Sequence, residues 1–266
     1  MSFAEKVIVI TGASDGIGAE LARQLAVDEP NLVLAARRRD ALEAVALQCE
    51  AAGAKTFCVV TDVSVEADCR ALIAATVKKF DRIDALVNNA GVSMHANFDE
   101  ITDTSVYENL MRINLMGSIW PTHAALPYLK SSKGLIVAVA SLAGLVGVPG
   151  RTTYCATKFA QTGFFEALRV ELQPEGVDVC IVYPGVVATE IRRNGWNAKG
   201  ETAGSSGLSE TNAMSVEECA SLIVTAMRTR KREEVMSAKG KLGRWLKLIV
   251  PAKVDAMARA ALVKKP

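Results

Sequence analysis

The sequence predicts an α/β protein in which helices cover both faces of a parallel β-sheet. Strand-like apolar segments alternate with helix-like segments along the first 190 residues, and this alternation is typical of parallel strands joined by helical crossovers. The strand-like segments are continuous apolar runs, as expected for strands buried on both faces. Because parallel crossovers are right-handed, the sheet is expected to be doubly wound.

The first two strand–helix units follow from composition. Val7–Thr11 is apolar, rich in β-branched residues and bounded by a glycine-rich turn, which predicts a strand. Residues 19–27 then have a helical composition. Asn31–Ala36 is a second apolar run, and a helix-like stretch at 40–52 follows it.

The middle of the chain repeats the pattern. A third strand is predicted at 55–61, and Ser64 is the candidate N-cap of the helix that follows it. Strands four and five are predicted at 83–88 and 134–140. A long helix near 106–129 separates them.

The last regular unit is a helix at 154–172 followed by a sixth strand at 177–183. No linker rich in Pro, Gly or Ser precedes it, so residues 1–240 are expected to form one domain. Glycines and serines at 194–212 predict a mobile lid over a substrate. Residues 241–266 are expected to form an amphipathic helical extension.

Composition excludes several classes of protein. Of the 266 residues, 50% are hydrophobic and 23% are charged, which excludes a disordered or collagen-like chain. A net charge of +2 argues against a nucleic-acid-binding surface. Six cysteines without a C-x-x-C pair, and two histidines, argue against a metal site. The cysteines suggest a reducing compartment, and the sequence shows no signal peptide or membrane span, so a cytoplasmic location is expected.

A glycine-rich turn follows the first predicted strand and opens the first predicted helix. Its glycines, Gly12, Gly16 and Gly18, have the spacing G-x-x-x-G-x-G. Glycine lets the backbone approach a pyrophosphate, and the helix N-terminus offers free N–H groups and a positive dipole end. A plain strand–helix turn is the alternative, but the context favours a dinucleotide-binding site.

The end of the second predicted strand bears on the choice between NAD and NADP. An acidic residue there would bind the ribose 2′-hydroxyl, but the strand runs into Arg37, Arg38 and Arg39, and Asp40 comes late. Arginine can form a bidentate contact with a 2′-phosphate. The alternative is a solvated helix start. We favour NADP(H), with Arg37 as the first candidate contact and Arg38 as the second.

Three polar residues are the candidate reacting groups. Tyr154 and Lys158 are four residues apart, which places them on one face of a helix. A free phenol has a pKa near 10, and a nearby ammonium would lower it. Ser141 ends the fifth predicted strand, at the sheet edge where ligands bind, and its hydroxyl can donate to a carbonyl oxygen.

Together and in order, these motifs resemble the short-chain dehydrogenase/reductase family. The matching features are T-G-A-S-D-G-I-G at 11–18, Asp62-Val63, N-N-A-G at 88–91, Asn114, Ser141, Tyr154, Lys158, and Pro184-Gly185 followed by Thr189. The resemblance covers about residues 6–192. It implies a single Rossmann-type domain with about seven parallel strands.

The resemblance also implies roles for individual residues. Tyr154 would be the general acid–base, and Lys158 would lower its pKa and hold the nicotinamide ribose. Ser141 would position the carbonyl, and Asn114 would hold a water in a proton relay. The residues expected to contact the cofactor are Gly12, Ser14, Asp15, Gly16, Ile17, Gly18, Arg37, Arg38, Asp62, Val63, Asn89, Ala90, Gly91, Tyr154, Lys158, Pro184, Gly185, Val187 and Thr189.

Within this set, Asp62 and Val63 would contact the adenine, and Asn89 and Gly91 would line the adenine-ribose side. The residues from 184 to 189 would hold the nicotinamide end.

The implied reaction is an NADPH-dependent interconversion of a ketone or aldehyde with an alcohol. Segments at 124–130, 141–144 and 158–165 resemble the branch of hydroxysteroid dehydrogenases and lipid-ketone reductases. A steroid, a retinoid or a long-chain keto lipid is therefore expected as substrate. The alternatives are an NADP(H) sensor without turnover, a 3-oxoacyl-type reductase on a carrier-linked substrate, and a nucleotide-sugar epimerase or dehydratase.

The C-terminal region carries an apolar stripe among basic residues. The first stripe is Leu242, Trp245, Leu246, Ile249 and Val250. Pro251 is expected to end that helix, and a second stripe contains Val254, Met257, Ala258 and Leu262. Three interpretations stay open: packing on the domain or a partner subunit, an apolar substrate entrance, or contact with an anionic membrane surface. The resemblance suggests a homodimer or homotetramer formed through the helices near 106–129 and 154–172.

Overall fold

The computed structural model describes residues 2–206 and 213–260. At its centre lies a sheet of seven parallel strands. In chain order they are β1 (Val7–Thr11), β2 (Asn31–Ala36), β3 (Lys55–Val60), β4 (Ala85–Asn88), β5 (Leu135–Val139), β6 (Asp178–Tyr183) and β7 (Glu233–Val235). The first six match predicted strands within two residues, whereas β7 matches none of the predicted segments.

Nine α-helices lie within the described residues. They are α1 (Gly16–Ala26), α2 (Arg39–Ala51), α3 (Glu66–Phe80), α4 (Ser105–Met111), α5 (Gly117–Ser132), α6 (Thr152–Leu172), α7 (Val216–Arg228), α8 (Ala238–Ile249) and α9 (Pro251–Ala260).

The helices cover both faces of the sheet, and the direction of the β1 side chains shows it. Ile8 and Ile10 pack into a core shared with α1, α2 and α7. Val7 and Val9 point the other way, into a core shared with α3, α5 and α6. The predicted doubly wound sheet with helices on both faces is therefore confirmed.

The strand order creates a crevice at the middle of the sheet. The order is β3-β2-β1-β4-β5-β6-β7, so the chain moves outward in one direction from β1 and in the other from β4. The connections after β1 and β4 run to opposite faces of the sheet. An opening therefore forms between the carboxyl ends of these two strands, where such sheets bind ligands. The glycine-rich turn follows β1, and Asn89 follows β4, so both candidate motifs lie at this opening.

The prediction that Ser64 is a helix N-cap is wrong. Helix α3 begins at Glu66, with Val65 as the N-cap. The Ser64 backbone N–H and hydroxyl donate to Asp62 Oδ1 at 2.9 and 2.7 Å. The aspartate side chain thus organises a turn immediately after β3, and this local arrangement delays the start of the helix.

The long helix predicted near 106–129 is divided. A π-helical segment, Arg112–Met116, separates α4 from α5. Such segments are frequent at functional sites, and this one contains Asn114, one of the candidate catalytic residues. The periodicity of the apolar residues does not reveal the extra residue in this turn.

The C-terminal region forms two helices, as its two stripes predict. The first ends at Ile249, and Pro251 begins the second, a position that suits its missing N–H group. Leu242, Trp245 and Ile249 are exposed, whereas Val254 is buried. Leu262, and residues 207–212 of the predicted lid, lie outside the described residues. In the described ranges no helix is long and apolar enough to cross a membrane.

Candidate active site

A cleft of about 860 Å³ opens at the carboxyl edge of the sheet. It is lined by ten of the predicted site residues: Ile17, Asn89, Gly91, Ser141, Tyr154, Lys158, Pro184, Gly185, Val187 and Thr189. These residues come from the segments after β4, β5 and β6 and from helices α1 and α6. The fold therefore brings together the candidate reacting groups, the first turn of α1 and the segment after β6.

The glycine-rich turn is packed so closely that side chains do not fit there. A Cβ on Gly18 would collide with the carbonyl oxygen of Gly12 and lie 2.5 Å from Asn89 Nδ2. Gly12 and Gly16 have positive φ angles, +66° and +52°, a region that favours glycine. Asp15 is the N-cap of α1, and its Oδ1 accepts from Gly16 N at 2.7 Å.

Asn89 fixes this turn against the end of β4. Its Nδ2 donates to the carbonyl oxygens of Thr11 and Gly12 at 3.0 and 3.1 Å. The Thr11 hydroxyl accepts from the backbone N–H groups of Asn89 and Ala90 at 3.0 and 3.1 Å. The two motifs form one unit, which opens the N-terminus of α1 toward the cleft and fits a dinucleotide there.

Replacing Gly18 with alanine tests this packing. We expect a loss of about 1 to 3 kcal/mol of unfolding free energy, because the new methyl group meets rigid backbone. Gly163→Ala is the matched control, since nothing lies within 4 Å of a Cβ at this position on α6. Urea unfolding should show this control unchanged or more stable, by about 1 kcal/mol at most. Equal effects of the two substitutions would contradict the packing argument.

Tyr154 lies on the first turn of α6 and points into the cleft. Burial raises the pKa of its phenol, whereas a hydrogen bond with Ser141 and the positive charge of Arg151 act to lower it. Ser141 follows β5 and accepts from the backbone N–H of Ala143 at 3.2 Å. The turn after β5 thus holds the Ser141 hydroxyl beside the phenol.

Lys158 is buried on the same side of α6, with 4% of its surface exposed. Its Nζ lies 5.9 Å from the centre of the Tyr154 ring. It donates to the Val139 carbonyl oxygen at 2.8 Å and to Gln161 Oε1 at 3.0 Å. Burial lowers the pKa of this amine to about 7.

Gln161 links Lys158 to the π-helical segment. Its Nε2 donates to Ser118 Oγ at 2.8 Å, and that hydroxyl donates to the Asn114 carbonyl oxygen at 3.1 Å. Gln161 is fully buried. Gln161 is not among the predicted site residues, although its position three residues after Lys158 places both on one helix face.

The side chain of Asn114 is held by protein groups. Its Nδ2 donates to the Val92 carbonyl oxygen at 2.9 Å and to Thr157 Oγ1 at 3.1 Å, and its Oδ1 accepts from Val92 N at 2.8 Å. Both amide hydrogens are therefore used. Gly91 lies beside it, since a Cβ there would be 3.1 Å from Asn114 Oδ1 and 3.9 Å from Lys158 Nζ.

The predicted adenine-end residues lie outside the main cleft. Arg37 and Arg38 are exposed where β2 ends, and Arg38 lies 3.8 Å from the Asp15 carboxylate. No ion pair joins Arg37 to a described residue. Asp62 and Val63 follow β3 at the same edge of the sheet. Ser14 and Ala90 are half-buried on the two sides of the glycine-rich turn.

A model of the family described as short chain dehydrogenase matches residues 6–200. The chain belongs to the short chain dehydrogenase family. The match includes the glycine-rich turn and the Tyr154–Lys158 pair, and it confirms the resemblance inferred from the motifs.

Several curated relatives carry names from the hydroxysteroid dehydrogenase branch. A protein of Arabidopsis thaliana named 11-beta-hydroxysteroid dehydrogenase-like 4A is 44% identical over 183 residues, 68% of this chain and 61% of that protein. The 11-beta-hydroxysteroid dehydrogenase A of Sesamum indicum is 35% identical over 269 residues, 99% of this chain and 77% of that protein. This chain spans less than two thirds of the length of the Arabidopsis relative.

Solved structures share the architecture. An alcohol dehydrogenase from the archaeon Thermococcus sibiricus, complexed with 5-hydroxy-NADP, superposes with a TM-score of 0.76 at 27% identity, over 87% of this chain and 94% of that chain. A levodione reductase superposes with a TM-score of 0.79 at 24% identity, over 89% and 98%. These similarities support the Rossmann-type fold of the family.

Proposed function

We propose that this short chain dehydrogenase interconverts a ketone or aldehyde with an alcohol, using NADP(H) in preference to NAD(H). One observation carries the proposal. Ser141, Tyr154 and Lys158 line the same cleft as the first turn of α1, so acid–base groups and a dinucleotide-binding turn face one space. That combination suits hydride chemistry on a nicotinamide.

The residues around the cleft would hold the cofactor along its length. The N-terminus of α1 would receive the pyrophosphate, and Asp62 and Val63 would contact the adenine. Lys158 and the segment from Pro184 to Thr189 would hold the nicotinamide end. When bound, the nicotinamide supplies or accepts the hydride.

The chain's own residues would orient the carbonyl and move the proton. The Ser141 hydroxyl donates to the carbonyl oxygen of the substrate, and the Tyr154 hydroxyl gives it a proton during reduction or takes one during oxidation. The Lys158 amine lies near the phenol, where its protonated form would stabilise the phenolate. Asn114 would hold a relay water through its backbone carbonyl oxygen, which accepts one hydrogen bond from Ser118 and has a second lone pair.

The NADP(H) preference is assigned to Arg37. Arg37→Gln is expected to raise the KM for NADPH by about tenfold or more, because it removes a charge-assisted contact to the 2′-phosphate. The KM for NADH should change by less than about twofold, since NADH has no phosphate there. Arg39→Gln is the matched control, because the Arg39 guanidinium lies 3.6 Å from Glu43 on α2. An unchanged NADPH-to-NADH ratio in Arg37→Gln would contradict the assignment.

A lipophilic substrate is supported by the lining of the cleft. Val146, Val148 and Ile191 contribute to it, and α9 adds Val254 and Met257. This lining favours the substrate-entrance interpretation of the second C-terminal stripe. A steroid, a retinoid or a long-chain keto lipid would suit it, and the names of the plant relatives agree with the first of these.

The direct test measures the oxidation of NADPH in the presence of each of a panel of lipophilic ketones. The absorbance of the reduced nicotinamide reports the rate, and the same assays with NADH give the cofactor preference. Turnover of a ketone with a preference for NADPH supports the proposal. Binding of NADPH without turnover of any ketone would overturn it.

A further inference from the structure

A buried arginine lies beside the candidate acid–base residue. Arg151 immediately precedes α6, three residues before Tyr154, and lines the cleft. Only 4% of its surface is exposed. The central carbon of its guanidinium lies 5.9 Å from the centre of the Tyr154 ring. A group bound at this guanidinium would therefore be next to the reacting carbonyl.

The contacts of Arg151 leave its charge without a described anionic partner. One terminal nitrogen donates to Ser93 Oγ at 2.8 Å, and the other donates to the backbone oxygen of Ser206 at 3.0 Å. Both acceptors are neutral, and the buried Nε has no hydrogen-bond partner. A buried charge is costly unless it is paired and hydrogen-bonded. Burial accordingly lowers the pKa of Arg151, and the charge of Arg192 adds to this effect.

The cleft around Arg151 is basic as well as apolar. Arg151, Lys158, Arg192 and Lys239 line it, and Glu218 is the one acidic residue among the described lining residues. Arg192 is buried, and it donates to Ser206 Oγ and to the Val187 carbonyl oxygen, both at 2.8 Å. Because the buried charge of Arg151 attracts anions, a purely apolar ketone would leave this feature of the cleft unused.

We propose that Arg151 binds a carboxylate of the substrate, and that the substrate is an amphipathic oxo acid. The ketone reaches Ser141 and Tyr154, the carboxylate reaches the guanidinium, and a hydrocarbon body fills the apolar part of the cleft. The inference rests on the proposed function and narrows its substrate class. A planar guanidinium matches the two oxygens of a carboxylate, and charge-assisted hydrogen bonds of this kind are strong.

The test uses straight-chain oxo acids in which the ketone is moved one carbon at a time away from the carboxylate, each paired with its methyl ester. The wild-type protein is expected to show a kcat/KM at least about tenfold higher for the best acid than for its ester. Arg151→Gln should lower kcat/KM for that acid about ten- to a hundredfold more than for its ester, and this difference should appear in KM. Because Arg151 also lowers the pKa of Tyr154, a loss common to both substrates should appear in kcat.

Two further variants distinguish an effect of the Arg151 charge from a structural effect of the substitution. Arg151→Lys keeps the charge and should retain part of the acid preference, although it loses the fork geometry. Arg70→Gln removes an exposed arginine that pairs with Glu66 on α3, and it should change nothing. Equal losses for acid and ester in Arg151→Gln would overturn the proposal, because Arg151 would then hold only the segment that contains Ser206. A rise in the KM for NADPH would overturn it in favour of a cofactor phosphate.

Failure of the inference can be distinguished from failure of the proposed function. Turnover of esters and apolar ketones without any preference for acids overturns the carboxylate site and leaves the reductase proposal intact. If no ketone is turned over, calorimetric titration of the wild-type protein with decanoate decides the matter. Binding that Arg151→Gln weakens about tenfold supports the anion site alone, and no binding overturns both.

Discussion

Replacing Tyr154 with phenylalanine is expected to lower kcat by about a hundred- to ten-thousandfold, the range for loss of a general acid–base. The substitution removes one oxygen, and it leaves the ring in place between Arg151 and Lys158. The other residues proposed to hold the dinucleotide are unchanged, so the Kd for NADPH should stay within about twofold. A selective loss of turnover is the signature of a group that acts in the chemical step.

The experiment pairs steady-state turnover with NADPH binding measured by fluorescence. Tyr128→Phe is the matched control, because Tyr128 is half-buried on α5 against the core and is not among the residues that line the cleft. Its activity should equal that of the wild type. A Tyr154→Phe variant that keeps a tenth or more of the wild-type kcat would remove Tyr154 from the proposed role.

Replacing Lys158 with methionine is expected to abolish most turnover and to change how stability depends on pH. Burial lowers the pKa of Lys158 to about 7 in the folded protein, whereas a lysine in the unfolded chain titrates near 10.4. Between these values the unfolded chain binds more protons than the folded one. The contribution of Lys158 to the free energy of unfolding therefore rises with pH across that window, by at most about 1.4 kcal/mol per pH unit. This contribution is lowest below pH 7.

Urea unfolding of the cofactor-free protein at several pH values between about 7 and 10 measures this slope. The Lys158→Met variant should lose this part of the pH dependence of the unfolding free energy. The Lys78→Met variant, which alters an exposed lysine on α3, should keep it. Identical slopes in the two variants would show that Lys158 has an ordinary pKa in the folded state.

The strands were predictable because they are buried on both faces. Val7–Thr11 and Asn31–Ala36 are continuous apolar runs, and their bounds in the structure agree with the prediction. β7 has no such signal, because Glu233 and Glu234 occupy two of its three positions. It pairs with β6 at the edge of the sheet, and only this tertiary contact makes it a strand.

The candidate site was predictable as far as its signals are local. The four-residue spacing of Tyr154 and Lys158 places them on one helix face, and the spacing of the glycines is enough to recognise the glycine-rich turn. The contacts of Arg151 and Gln161 connect residues far apart in the chain: Arg151 meets Ser93, 58 positions away, and Gln161 meets Ser118, 43 positions away. No spacing rule relates such positions, so these roles emerge only from the fold.

The measurement that tests the central claim most directly follows an isotope label. The protein is incubated with NADPH that carries deuterium at the transferable position of the nicotinamide, together with lipophilic ketones and oxo acids, and the products are analysed by mass spectrometry. We predict one deuterium on the carbinol carbon of the product alcohol with the wild-type protein, and a loss of this product with Tyr154→Phe. A protein that binds the labelled cofactor and yields no deuterated alcohol from any of these compounds would contradict the account.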